Sequence, residues 1–451
     1  MTQSSTAPRL GPARLLAYGL PGLPIGALGV PLYIFLPTFY GQEIGLDLAM
    51  VGAILLAARL WDVVTDPVIG ALSDRTRGRL GRRRPWMLAA VPILLVSVWM
   101  LFRPPEDAGV LHLLVWSLIL YVGWTMIQLP HSAWGAELSG DYDERARIAG
   151  AREACVVVGT LLAAGTPLML GIDGEARPGA ALAAIAIALI VVLPATVGLA
   201  AGWVPDHHAA SPSPVPWRES RRLLLGNRPF LRLILAYVIN GLANGLPATL
   251  FLLFVEHVLV APEQQGALLF VYFLAGILGV PLWLRVARRW GKHRTWCVAM
   301  TINAAIFACV PFLGAGDAAI FLAICVATGL CLGADLTLPS AIQADVVDVD
   351  TANGGGGRTG LYFAFWGMAT KLALALAVGI AFSLLDLAGF EAAIENTPDA
   401  LLALALLYAG LPVALKAVAI AMMWRFPLDR AAQEDLRARI LRKQAQTIAE
   451  S

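Results

Sequence analysis

The chain has 451 residues, 58% of them hydrophobic and 14% charged. Its mean hydropathy is +0.72. A soluble domain carries roughly 25% charged residues, and one this apolar lacks the polar surface it would need. A soluble enzyme, a nucleic-acid binder and a disordered scaffold are therefore excluded. The net charge of +2 calls for no acidic partner.

Apolar stretches of about 20 residues recur along the chain, each long enough to cross a bilayer. In lipid they must be helices, because backbone groups there have no water to bond. The predicted spans are 14–39, 48–72, 86–102, 110–137, 147–171, 179–204, 230–260, 265–287, 296–314, 317–344, 359–386 and 400–426. The polar connectors alternate in charge. Arg75, Arg77, Arg79 and Arg82–Arg84 follow the second span; Arg288, Arg289, Lys292 and Arg294 follow the eighth. The intervening loops hold only Arg103 and Arg177. Positive loops stay in the cytoplasm, so both termini are expected there, in the inner membrane of the cell.

The polar segment 205–229 divides six spans from six. The loop GALSDRTRGRLGRRRPW after span two is echoed by WLRVARRWGKHRTW after span eight. The predicted fold class is all-α: twelve transmembrane helices in two six-helix bundles, 1–204 and 230–426, joined by a cytoplasmic middle loop and followed by a tail at 427–451. Gly354–Gly357 lack a following G-K-[ST] and read as a loop rather than a phosphate cradle. The five cysteines read as small packing residues, and the six histidines show no zinc spacing.

Charges inside the spans carry the functional reading. Span two contains Arg59, Asp62 and Asp66. Each costs roughly 2.5–3.5 kcal/mol at mid-bilayer by insertion scales. Asp62 and Asp66 stand four apart on one helix face and repel, unless a cation or proton sits between them. Oxygen ligands of this kind suit Na⁺. The alternative is a structural ion pair of Arg59 with Asp62, which leaves Asp66 unexplained. Span four brings Trp124, Thr125 and Gln128, and Thr125 can add a hydroxyl. Arg152 enters span five without an evident acid partner. Span seven has Asn240 and Asn244; span ten has Asp335, read as functional or paired, and then Asp345, Asp348 and Asp350, read as a solvated loop. Span eleven carries Trp366 and Lys371, and span twelve Lys416.

Trp61-Asp62 through Asp66-Pro67, Gly81 to Trp86 (GRRRPW), Asp141 to Arg152, Asp345 to Asp350 and Lys371 together form a familiar set. Over about 14–425 the chain resembles the glycoside–pentoside–hexuronide:cation symporter family of the major facilitator superfamily. The resemblance implies that Asp62 and Asp66 bind the coupling Na⁺, Li⁺ or H⁺, with Thr65 and Thr125 as further oxygen ligands. It gives Arg152 and Lys371 the places of the family's span-five Arg and span-eleven Lys. With Gln128, Trp124, Trp366 and Asn244 they make the candidate substrate-binding set. Asp74, Arg75, Arg82 and Arg83 fall on the superfamily's gate motif. The family's sugar-binding acids fall on Gly26 and Gln128, and a sugar-stacking Trp on Ser132, so the galactoside site is not retained. Lysophospholipid transporters of the same branch likewise lack it.

The expected function is cation-coupled symport of a small organic solute by alternating access: a glycoside, sugar or sugar acid first, an amphiphile such as a lysophospholipid second. A proton-driven efflux carrier and a non-transporting receptor are the remaining alternatives. No enzyme motif appears, and no cofactor is expected beyond the coupling ion. The expected partners are the solute, the cation and the bilayer, with no nucleic acid, and the chain is expected to be a monomer.

Overall fold

A computed structural model describes residues 9–166, 178–206, 226–353, 358–390 and 396–450. Most of the predicted middle loop and Gly354–Gly357 lie outside the described residues. Those described are almost entirely helical, without a strand. Helices α1 (Pro12–Gly19) and α2 (Gly22–Val30) open the chain, and π turns at Pro31–Phe35 and Phe39–Glu43 continue it. Then come α3 (Leu48–Arg75), α4 (Arg84–Phe102), α5 (Val110–Glu137), α6 (Tyr142–Ala164) and α7 (Pro178–Trp203). After the middle loop follow α8 (Arg228–His257), α9 (Gln265–Trp290), α10 (Lys292–Phe307), α11 (Ala318–Ala352), α12 (Thr359–Leu387), α13 (Pro398–Ala405), α14 (Leu411–Met423) and α15 (Arg430–Glu450). A π turn at Leu406–Gly410 joins α13 to α14.

Side-chain caps fix several starts. Asp47 accepts from the amide of Met50 at 2.9 Å, Asp141 from Glu144 at 2.7 Å and Asn227 from Phe230 at 3.1 Å. Among the described residues, nine segments are long and apolar enough to cross a membrane. The other three predicted spans correspond to the interrupted run 12–43 and to the charge-bearing helices α3 and α6.

The chain divides into two compact units. One comprises Met1–Pro214 with Gly356–Phe365, the other Val215–Gly355 with Trp366–Ser451. The start of α12 thus clusters with the first unit, although the sequence placed all of span eleven in the second. The core of the first unit is built around Tyr18, Leu28, Leu36, Tyr40, Leu94 and Trp134. That of the second is built around Leu250, Phe254, Phe321 and Tyr408, with Phe254 and Tyr408 stacked at 4.3 Å.

Within the first unit α2 and α6 pack backbone to backbone. A Cβ on Gly26 would stand 2.0 Å from the Val156 carbonyl oxygen, and one on Gly159 1.9 Å from that of Leu23. No side chain fits at Gly26, so its place on the resembled family's acidic position is a packing matter here. Gly26→Val should lower stability by about 1–3 kcal/mol through overpacking. Gly29→Val, with nothing within 4 Å of its Cβ, is the control. Thermal unfolding of the purified variants checks this, and equal melting points would disprove the close approach.

The acidic run departs from expectation. It is not a solvated loop: α11 continues through it, and Asp345, Asp348 and Asp350 are buried. Asp345 pairs with Lys292 (2.5 Å). Asp348 accepts from Gln433 at 3.3 Å and lies 3.6 Å from Arg437, both on α15. The predicted tail is therefore helical from Arg430 and docks on the end of α11.

Candidate cation-binding site

Helix α3 sorts its residues sharply. Leu56, Leu60, Val64, Val68 and Leu72 recur every four residues and are all exposed, an apolar stripe of the kind lipid covers. Asp62 and Asp66 lie about 200° around the helix from the neighbouring members of that stripe and are 5% and 1% exposed. Both carboxylates therefore point into the first unit. There they meet Thr125 of α5, itself buried. Its hydroxyl donates to Asp62 Oδ1 at 2.6 Å, and the same oxygen is 3.0 Å from Asp66 Oδ1. One hydroxyl carries one proton and serves one carboxylate at a time. Two acidic oxygens and a hydroxyl thus converge on one small volume, a hard-oxygen set that a monovalent cation or a proton can neutralise.

Thr65 is not part of this convergence. Its hydroxyl donates to the Asp62 carbonyl at 3.1 Å, the usual bond of a helical threonine to its own backbone. Trp124 is half-buried and stacks on Tyr121 at 6.3 Å; Gln128 is exposed. Arg152 is buried but has an acid partner after all: its Nη2 is 2.5 Å from Oε1 of the adjacent Glu153. Sequence reasoning overlooked this pair because neighbours on a helix do not usually face each other. It also missed the lock between α1 and α5, where Tyr18 Oη donates to the His131 carbonyl (3.0 Å) and His131 Nε2 to that of Tyr18 (2.7 Å).

The residues expected at the gate divide as well. Arg83 is fully buried; its Nη2 lies 2.6 Å from both Asp74 Oδ1 and Glu137 Oε1. Arg82 Nη2 is 3.3 Å from Asp74 Oδ1. Burial works against the Arg83 charge, but Glu137 and Asp74 outweigh it and hold its pKa above the ordinary value. Asp74 also accepts from the amides of Gly360 and Leu361, at 2.8 and 2.9 Å, at the start of α12. Arg75, next along the chain, is exposed. Within the second unit, Asp345 is held by Lys292, and Asp348 by Gln433 and Arg437. Asp74→Asn should loosen the start of α12. Bonds to a charged acceptor contribute about 1.5–3 kcal/mol, so amide exchange at 360–361 should speed by roughly 10- to 150-fold. Hydrogen-exchange mass spectrometry reads this directly; unchanged protection there would show that Asp74 does not anchor the helix.

In the second unit, Trp366 is buried and stacks on Tyr237 at 3.7 Å, while Lys371 is half-buried. Asn244 belongs to a different network from the one predicted. Asn240 and Asn244 both donate to Asp335, at 3.2 and 3.1 Å, and both accept from Lys416 Nζ, at 3.0 and 2.8 Å. Lys416 reaches Asp335 at 3.4 Å, and Trp296 Nε1 donates to it at 2.5 Å.

Known proteins resemble this chain along almost its full length. A zebrafish (Danio rerio) sodium-dependent lysophosphatidylcholine symporter 1-A is 25% identical over 465 residues, covering 93% of this chain and 86% of that protein. A putative glycoside/cation symporter of Escherichia coli, YagG, is 24% identical, covering 99% and 97%. Among solved structures, the transporter FucP in its outward conformation superposes with a TM-score of 0.63 at 15% identity, over 90% of this chain and 98% of that one. The proton:xylose symporter XylE gives 0.61 at 12% identity, covering 94% and 97%. These structures share the fold, two helical bundles of the major facilitator type. The family model described as MFS/sugar transport protein matches residues 17–430, and the chain belongs to that family.

Proposed function

We propose that this protein is a cation-coupled symporter of the cell's inner membrane, with both termini in the cytoplasm, that carries a small organic solute by alternating access. One observation carries the reading: Asp62, Asp66 and Thr125 converge inside the first unit. A cation between the carboxylates offsets their mutual repulsion. In this fold class, transport proceeds by movement of one bundle against the other around a bound substrate. The coupling is reciprocal: a cation that tightens solute binding is itself tightened by solute to the same degree. Na⁺ and H⁺ compete for the same oxygens. The protein acts as a carrier, not an enzyme.

The solute is a glycoside, sugar or sugar acid, in keeping with the family and with the named relative YagG. A lysophospholipid-like amphiphile is the second reading. It is favoured by the backbone packing at Gly26, which denies span one a sugar-binding acid, and by the similarity to the lysophosphatidylcholine symporter. Counterflow into proteoliposomes, with Na⁺ and with choline in its place, tests both. Glycoside exchange that needs Na⁺ supports the first reading, and lysophosphatidylcholine exchange that needs Na⁺ supports the second. Exchange of both solutes at equal rates in choline argues against Na⁺ coupling.

A further inference from the structure

The second unit contains a cavity of about 190 Å³, built wholly from its own helices. Its walls are aromatic: Phe251 from α8, Phe307 from α10, Phe321 from α11 and Tyr408 from the π turn before α14. Asn244 and Lys416 form its polar side, and Asn303 of α10 adds a further amide. We propose that this cavity is a binding site for a small neutral amphiphile, an alcohol or phenol with an apolar body of about eight carbons, separate from the carboxylate site.

Three observations lead there. The first is size. A dry apolar cavity of about 150 Å³ is large enough to take up benzene, and this one is larger. The second is charge. Lys416 and Asp335 balance each other, and the ammonium's three hydrogens are matched by Asn240, Asn244 and Asp335. An anionic ligand would have to break that set, whereas a neutral one leaves it intact. The third is the unspent hydrogen-bonding capacity of Asn303, whose half-buried amide has no partner among the described residues. A hydroxyl can donate to its oxygen or accept from its nitrogen. An apolar cavity with a few placed polar groups is the common form of a small-molecule site. The π turn beneath Tyr408 adds to the case, since such turns gather at functional sites.

The test is photolabelling of the full-length protein in lipid nanodiscs with 3-azioctanol, mapped by mass spectrometry. Labelling should saturate, concentrate on α8, α10 and the 406–412 segment, and fall when excess octanol competes. Ala248 lies at the exposed edge of the cavity, so Ala248→Trp can fill the mouth without displacing the core. It should reduce cavity labelling by roughly tenfold or more, since little free volume remains. Asn303→Leu removes one hydrogen bond and should weaken labelling about fivefold. Melting points close to the parent's establish that both variants are folded, and a variant that is not is replaced by Thr328→Phe, which fills the cavity from α11. Labelling that never saturates, spreads evenly over exposed apolar residues, or is unchanged by filling the cavity overturns the proposal.

Discussion

Asp62→Asn and Asp66→Asn are each expected to abolish the response of the protein to Na⁺. Thr125 Oγ1 lies within 3.0 Å of both carboxylates, so a cation bound there would experience both charges at close range. A unit charge about 4 Å away contributes roughly 4 kcal/mol at the effective dielectric of a partly buried site. Loss of one charge should therefore weaken Na⁺ binding by about two to three orders of magnitude. The solute need not be known. A ligand that binds only the folded state raises the melting temperature, so the parent should melt higher in NaCl than in choline chloride at equal ionic strength. Either Asn variant should show no such difference. Both should fold, because replacing one of two adjacent buried carboxylates by an amide relieves their repulsion. Thr125→Ala should lose only about five- to tenfold in Na⁺ affinity, the worth of one hydroxyl, and Thr125→Ser should lose little. If either Asn variant keeps the parent's Na⁺ response, that carboxylate is outside the coupling site and the pairing of Arg59 with Asp62 becomes the better account of span two.

The carboxylate site was legible because helix geometry projects sequence spacing directly into space. Residues four apart share a face, and a charge in an apolar span has few reasons to be there. Thr125 could be suspected from its place on span four, but its position between both acids depends on the packing of α3 against α5. Pairings across greater distances were less accessible. Asp335 and Lys416 stood out as buried charges, yet nothing in either span says that they meet, or that Asn240 and Asn244 close the ring. The acidic run was misread for a related reason. Asp345, Asp348 and Asp350 look like a solvated loop until Lys292 and α15 supply partners that let the helix continue, and those partners lie 53 residues away at Lys292 and 85 at Gln433. Gly26 shows the limit of carrying a family's residues across by alignment: its lack of a side chain is set by the Val156 backbone, a neighbour that no local pattern reveals.

The buried ring around Lys416 should respond to mutation in a way that separates charge from packing. Lys416 and Asp335 side chains are 3% and 11% exposed, and each is the other's only formal counter-charge in the ring. Removing one partner of a buried pair leaves an uncompensated charge and typically costs about 3–5 kcal/mol. Lys416→Met and Asp335→Asn should each destabilise the second unit by that order. The double variant should recover a large part of the loss, because two neutral side chains in a buried site leave no stranded charge. Recovery will be incomplete: Trp296, Asn240 and Asn244 keep hydrogen bonds aimed at position 335, and the amide at 335 offers one accepting oxygen where the carboxylate offered two. Unfolding of the four proteins under identical conditions gives the coupling energy of the cycle, expected to be several-fold larger than the ~0.2–1 kcal/mol of exposed pairs. A coupling within that lower range would mean that water screens the pair. The cavity floor beside Asn244 would then be hydrated, and the preference for a neutral ligand there would lose its electrostatic basis.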